Sequence, residues 1–314
     1  MRCRKDGEYL RYNNYHRHSM YSNVSTLDVI TKPQDYIARI KELGHTTYST
    51  CEHGFAGNYF EAYDLCKANG VKMLYVVEAY YVDDRTQKDN SNYHLILVAK
   101  NRSGFRQINK ALSEANKTGF YYHPRLDLEL LLSLNPSDVF VTTACIGGRI
   151  NGTDAEEKFI VPVYSHFKNH FFLEVQAHVD KNQAEHNQRL LALHQKYGIS
   201  LIHANDSHYI YPEQAKDRTL FLLGKGMNYG AEDNFVLDYP NYDTILERYQ
   251  KQGILTREQV IDAIKNTLIF DQCEDMEFTK DIKMPSAYPG CDPNKKLREI
   301  INQRWQEERK HIPK

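Results

Sequence analysis

The sequence has no apolar run long enough to cross a bilayer, and its mean hydropathy is -0.65. A transmembrane helix is therefore excluded and no membrane partner is expected. Neither sign of charge dominates: 40 Lys+Arg stand against 41 Asp+Glu, a formal net charge of -1. Any contact with DNA has to come from a local patch, not from a basic chain as a whole. The N-terminal MRCRKDGEYLRYNNY has basic residues but no apolar core, so no secretory signal is expected and the chain is expected in the cytosol. The six cysteines (Cys3, Cys51, Cys66, Cys145, Cys273, Cys291) form no CxxC pair, and reduced thiols are expected in place of a disulfide framework. No internal repeat or low-complexity segment is present. Tyrosine is the one residue in excess, at 23, and is read chiefly as half-buried packing.

The 314 residues suffice for one large α/β domain or two small ones. Apolar, β-prone runs fall at 15–18, 46–49, 73–79, 95–99, 139–144, 171–176 and 200–204, with helical patterns between several of them. Pro33 opens PQDYIARIKELG, whose Tyr36, Ile37, Ile40 and Leu43 share a helical face, and Gly44 closes it. NYFEAYDLCKANG ends on Asn69-Gly70, and AEHNQRLLALHQKYG stops at Gly198. Such alternation argues for a parallel sheet or barrel, in which functional residues gather at the C-terminal strand ends. Beyond about Phe270 the pattern weakens through Pro285, Pro289, Gly290 and Pro293 into a polar helix at NKKLREIINQRWQEERKH, read as a connector.

The ligand-type residues follow the strand-end rule. His16-Arg-His18 is an HxH pair whose imidazoles share one face of an extended segment, as two ligands of one metal need. Asp206 and His208 in NDSHY repeat that alternation. Glu78, ending an apolar strand in VVEAY, is a candidate bridge between two cations roughly 3.5–4 Å apart. His53 follows the second strand, and Cys145 leaves its strand into glycines in ACIGG, where a thiolate can approach a metal. Thiolate and imidazole favour zinc-like ions, while carboxylates accept manganese. His94 begins its run, HLILVAK, so strand-end logic does not select it. The remaining histidines (His45, His166, His170, His194 and His311 among them) are read as surface or capping residues.

Taken in order, HRHSMYS, EHG, VVEAY, HLILVAKN, GFYYHPRLD, ACIGG, FFLEVQ and NDSHY resemble the PHP (polymerase and histidinol phosphatase) domain. The version most resembled stands at the N-terminus of bacterial or phage-like DNA polymerase III alpha subunits. NTLIFDQCEDMEF resembles the segment that leads from it toward a polymerase palm. The resemblance implies a distorted (β/α)7 barrel with a metal cluster at the C-terminal rim, spanning 1–270, and a connector over 271–314 toward an absent palm. It implies two or three divalent ions (Zn, Mn or Fe). His16, His18, Glu78 and Asp206 would hold one; Glu78, His94 and Cys145 a second; Asp28, His53 and His208 a third. Asp28 and His94 enter the set by resemblance alone. This chain has Glu52-His53-Gly54 where the family often has Asp-His-Gly, and its Ser25–Asp28 loop is longer than usual.

The implied activity is phosphoester hydrolysis as a 3′→5′ exonuclease, with His16, Glu78, Asp206 and His208 catalytic. Arg17 and Arg125 are the candidate phosphate clamps, and Tyr121 and Tyr122 the candidate base-stacking rings. The implied partners are a DNA primer 3′ end and polymerase palm and fingers, in cis or in trans. The implied location is the cytoplasm of a bacterial cell or phage-infected host. The alternatives are a small-molecule phosphatase of histidinol-phosphatase type and a silent, metal-stabilised polymerase module. The chain stops where a palm would begin, so no polymerase activity is expected of it alone.

Overall fold

The computed structural model describes residues 11–227, 235–279, 281 and 286–311. Cys3, most of the N-terminal basic stretch and Pro285 lie outside the described residues. The chain divides into two compact units, Met1–Met276 and Glu277–Lys314. In the second, Asp292 caps the helix Pro293–Glu308 by accepting from the backbone N–H of Asn294 at 2.9 Å. That helix buries none of its residues and carries the exposed Leu297, Ile301 and Trp305 along one stripe. No helix among the described residues is long and apolar enough to cross a membrane.

The first unit is an α/β fold around a central sheet. Its strands are β1 (Thr47–Ser49), β2 (Lys72–Leu74), β3 (Val76–Tyr81), β4 (Tyr93–Ala99), β5 (Arg125–Leu126), β6 (Val139–Thr142), β7 (Phe171–Gln176) and β8 (Leu201–Ala204). β1 and β2 pair in parallel, and the other six lie in the order β5-β3-β4-β6-β7-β8. The run 72–81 serves both sheets, because the Thr50 hydroxyl bonds both backbone groups of Val76 where β2 passes into β3. Residues 15–18 form no full strand. They close the ring through a single parallel bridge, Arg17 to Ser207, in which the N–H of His18 donates to the Ser207 carbonyl at 2.8 Å. On their other side the Ser49 hydroxyl donates to the Tyr15 carbonyl at 2.7 Å. The result is a distorted barrel.

One strand departs from the parallel expectation. β4 is antiparallel to both β3 and β6. The connection from β3 to β4 contains no helix, and parallel neighbours need a crossover of a dozen or more residues, usually helical, so a hairpin is the available solution. Consequently the N-terminal end of β4 lies at the rim where its parallel neighbours present their C-terminal ends.

The helices obey the local signals. Pro33 presets the first turn of Pro33–Leu43, Asp35 accepts from the Lys32 N–H at 3.1 Å, and Gly44 ends the helix at φ +67°. Tyr36, Ile37 and Ile40 are its buried face. Phe270 plugs the barrel floor, edge-on to Tyr15 at 4.8 Å and to Phe140 at 5.6 Å. The tyrosines exceed the half-buried reading: Tyr12, Tyr15, Tyr36, Tyr48, Tyr75 and Tyr249 are all fully inside. His45, expected at the surface, is buried between Tyr12 and Tyr239 with Nδ1 at 2.8 Å from the Tyr239 hydroxyl.

Gly104 sits in the first turn of the helix Arg102–Thr118, where a β-carbon would collide with the carbonyl oxygen of Asp138. Gly104→Ala is therefore expected to cost about 1–3 kcal/mol through overpacking. Thermal unfolding checks this; an unchanged Tm would show that the helix is free to shift.

Candidate metal centre

His16 and His18 flank the bridge residue Arg17, so their rings enter the barrel mouth while Arg17 turns the other way. Glu78 lies within β3, and its backbone brackets the neighbouring loop: the Glu78 N–H donates to the Glu52 carbonyl at 3.1 Å and Gly54 N–H to the Glu78 carbonyl at 2.7 Å. That pairing sets His53 beside Glu78. His94, second residue of β4, reaches the same place because that strand runs backwards. Cys145 follows β6 after Ala144, a residue held at φ +58°. Asp206 (φ +52°) and His208 follow β8, and Asp28 comes from the 25–28 loop, its N–H bonded to the Asn23 side chain at 3.0 Å.

These nine side chains form one contiguous cluster. Glu78 is the hub. Its carboxylate lies 3.3 Å from His16 Nε2, 3.2 Å from His18 Nε2, 2.6 Å from His53 Nδ1 and 2.9 Å from His94 Nδ1. Asp206 Oδ1 is 3.1 Å from His16 Nε2, 3.2 Å from His18 Nε2 and 3.6 Å from His208 Nδ1. Asp28 Oδ2 joins His208 Nε2 at 3.0 Å and His53 Nε2 at 3.4 Å. Cys145 Sγ is 3.3 Å from His94 Nδ1. His94 and Asp206 are the members most open to solvent, with side chains 25% and 13% exposed.

Several of these atoms are close but badly aligned. Among the described residues, His16 Nε2, His18 Nε2, both ring nitrogens of His53, Glu78 Oε2, Asp28 Oδ1 and Asp206 Oδ1 are buried without a hydrogen-bond partner. Converging orphan donors of this kind fit cations, whose bonds satisfy several lone pairs at once. Three sets of ligand atoms lie within 4.8 Å of one another: His16, His18 and Cys51; His18, His53 and His208; His53, Glu78 and His94. Cys51 was no sequence candidate. It is fully buried in apolar packing and burial pushes its thiol up, so the carboxylates of Glu78 and Asp206 are the better third donors for the His16–His18 pair.

Electrostatics shows the same strain. Burial opposes a charged His16, yet the carboxylates of Asp206, Glu174 and Glu78 outweigh it and raise its pKa well above the usual value. His53 is likewise raised against burial, by Glu78 and Asp28. Burial would lift Glu78, but His94, His53, His16 and His18 hold it well below the ordinary carboxylate range. Burial and the charges of Asp206 and Glu78 push the Cys145 thiol up, so a cation is what would turn it into a thiolate.

The model of the PHP domain family matches residues 14–178, more than half of the chain. The chain belongs to the PHP domain family. It is 29% identical over 283 residues to the DNA polymerase III subunit alpha of Borreliella burgdorferi, covering 86% of this chain and 24% of that one. It is 31% identical over 220 residues to the same subunit of Aquifex aeolicus, covering 65% and 19%. The chain thus spans a quarter or less of these curated relatives. Among solved structures it resembles a metal-dependent phosphoesterase from Bifidobacterium adolescentis (TM-score 0.42, 15% identity, 76% of this chain and 96% of that one). It also resembles an amidohydrolase from Chromobacterium violaceum (TM-score 0.39, 12% identity, 64% and 88%).

Around this PHP centre lies an outer layer that the sequence reading missed. Glu174, fully buried in β7, faces His16 Nδ1 at 2.6 Å. A carboxylate only accepts here, so Nδ1 carries the proton and Nε2 is left as the donor toward the cluster. Tyr15, Thr142 and Gln176 also donate to Glu174, at 2.7, 3.0 and 2.9 Å. The available signal was a carboxylate in the middle of the apolar strand FFLEVQ. Ser22 Oγ plays the matching part at His18 Nδ1, 3.1 Å away, and the Asp206 carbonyl at His208 Nδ1, 2.8 Å away. Glu52 ties Ser19, Ser22 and Asn58 together beneath His53, which gives the Glu-His-Gly variant a function as a loop anchor. In ACIGG, a β-carbon on Gly148 would strike the Thr143 carbonyl, and Gly147 accepts the His94 N–H at 3.0 Å. The two glycines let this turn lie against His94.

The two phosphate-clamp candidates are corrected. Arg17 is 1% exposed, its guanidinium 3.6 Å over the Tyr48 ring and 4.6 Å from that of Tyr36. Arg125 is 1% exposed and donates to the carbonyls of Gly119, Arg85, Gln87 and Asp89. Both are internal struts and offer no guanidinium to a substrate.

Glu174→Gln keeps the shape but removes the charge that orients His16. Metal affinity is expected to fall by about 10–100-fold, the range for outer partners of metal ligands. Metal titration of the chelator-stripped variant measures it; wild-type affinity would show that His16 needs no such partner.

Proposed function

We propose that this PHP domain is a metal-dependent phosphoesterase that acts as a 3′→5′ exonuclease on a DNA primer end. The observation that carries the reading is the Glu78 carboxylate, buried among four imidazoles and joined through them to Asp206 and Asp28. Such a donor set suits two or three divalent ions (Zn, Mn or Fe), with His16, His18, Glu78 and Asp206 around one, Glu78, His94 and Cys145 around a second, and Asp28, His53 and His208 around a third. Bound there, the ions supply Lewis-acid charge for attack at phosphorus near neutral pH.

The chain's own residues do the rest. Glu174 and Ser22 fix the tautomers of His16 and His18. Glu78 and Asp206 hold negative charge between the rings, which limits repulsion between neighbouring cations. His94 and Asp206 line the open side, where a phosphodiester arrives. His16, Glu78, Asp206 and His208 are the residues assigned to catalysis.

The kinship with polymerase subunits supports a nucleic-acid substrate over histidinol phosphate. It also supports residues 271–314 as a connector toward palm and fingers, in cis or in trans, within a bacterial or phage-infected cytoplasm.

Metal-loaded protein should shorten 3′-labelled single-stranded DNA faster than it hydrolyses histidinol phosphate or aryl phosphates, and chelator should abolish the reaction. Asp206→Asn keeps a residue that tolerates left-handed backbone and should lose more activity than the roughly 10–100-fold of an outer-layer variant. Preference for histidinol phosphate would assign the small-molecule phosphatase instead. No turnover of either substrate, with a metal-dependent Tm, would leave a structural module.

A further inference from the structure

Beside the metal centre, the short hairpin at Tyr121–His123 joins surface exposure, backbone strain and rigid support. We propose that it is a stacking subsite for the terminal base of a single-stranded nucleic acid, an inference that rests on the exonuclease reading and specifies how its substrate is held.

Tyr121 and His123 pair in a tight bridge, the Tyr121 N–H donating to the His123 carbonyl at 3.1 Å. The residue between them, Tyr122, is forced to φ +59° with its side chain turned out, and it is 74% exposed. A non-glycine residue in that conformation is strained, and a ring left in water gains nothing from burial to offset it. Two of the other three described non-glycine residues with positive φ, Ala144 and Asp206, serve the metal centre. The Tyr121 and Tyr122 rings meet edge-to-face at 4.6 Å, beside a hollow of about 190 Å³ whose opposite wall is the loop 89–92. Its size suits one planar ring system, well below the 300–1,000 Å³ of pockets for drug-sized ligands.

Both walls are fixed by one buried cation. Arg125 binds the carbonyls of Arg85, Gln87 and Asp89 on one side, and its guanidinium lies 5.4 Å from the Tyr121 ring on the other. The hollow also communicates with the cluster. His123 stacks on Tyr80 at 4.3 Å; Tyr80 faces the ring of His53 at 6.4 Å and is edge-on to His94 at 5.6 Å. His123 Nδ1 is 3.2 Å from Ser25 Oγ, on the loop that delivers Asp28. An aromatic track therefore runs from His123, the chain neighbour of the exposed tyrosine, to two cluster members through two successive ring contacts. Stacking on such rings accepts any base, because every base has a π-face. The described residues that line the hollow include no lysine or arginine, which suits a base better than a phosphate and leaves the phosphodiester to the cluster.

The test uses metal-loaded protein and an oligonucleotide ending in 3′-terminal 2-aminopurine, with a phosphorothioate at the last linkage to block cleavage. Wild-type protein is expected to quench the terminal fluorophore. Tyr122→Ala is expected to lose the quench and bind about 5- to 150-fold more weakly, and Tyr122→Phe to retain both. An oligonucleotide with an abasic 3′ end should show the same loss with wild-type protein and no further loss with Tyr122→Ala. The proposal is overturned if Tyr122→Ala binds and quenches like wild type, or if the losses from ring and base multiply. It is also overturned if wild-type protein binds no oligonucleotide, while turnover of a non-nucleotide phosphoester would keep the phosphoesterase reading. Quenching without hydrolysis of an unmodified strand would keep the stacking subsite and remove the exonuclease reading.

Discussion

A carboxylate sealed in a barrel mouth is stable only if something offsets its charge, and Glu78 is that carboxylate. It is 1% exposed, and an ionised group so placed costs several kcal/mol unless paired or bound to metal. Four imidazoles from three separate chain segments converge on it: His16 and His18, then His53, then His94. Each must present a lone pair or a proton at the right nitrogen. That requirement propagates outward into Glu174, Ser22 and the Asp206 carbonyl, which settle the orientation of three rings in the cluster. It also explains the left-handed backbone at Ala144 and Asp206, where strain is tolerated so that Cys145 and Asp206 reach the cluster.

The barrel accommodates this centre by reversing one strand. Were β4 parallel to its neighbours, His94 would lie at the opposite end of the sheet from Glu78. The hairpin between β3 and β4 instead sets Tyr80 opposite His94 in register, and Glu78 two residues earlier on the same face. The floor is closed by Phe270 and its aromatic neighbours, so the rim is the polar end of an otherwise apolar barrel. Arg17 and Arg125, which a sequence reader takes for phosphate binders, serve this architecture from inside. One lies against Tyr48 beneath the HxH pair, and the other holds the loop after β3 by its carbonyls.

What could be read from sequence was what local geometry dictates. The HxH and DSH patterns place alternate side chains on one face of extended backbone, so His16, His18, Asp206 and His208 declare themselves. Pro33 with Gly44, Asn69-Gly70 and Gly198 mark helix ends for reasons internal to a single turn. His94 was illegible on local grounds because strand direction is a property of the whole sheet. Asp28 sits on an irregular loop with no period to mark it, and only likeness to the PHP domain brought it forward. Glu174 was hidden because nothing local distinguishes an inward carboxylate on a buried strand from an outward one. Residues 15–18 looked like a full strand, yet only one bridge forms there. On the other side the Ser49 hydroxyl, bonded to the Tyr15 carbonyl, stands in for the ladder.

Glu78 and the eight side chains around it are proposed to form one multi-metal centre. Anomalous diffraction from one crystal of the untreated protein, recorded at the zinc, iron and manganese edges, tests this most directly. Two or three peaks are predicted, with the Glu78 carboxylate between two of them and the remaining donors from His16, His18, Asp206, His94, Cys145, Asp28, His53 and His208. A crystal soaked in each of these metals that shows no peak within bonding distance of Glu78 would contradict the assignment.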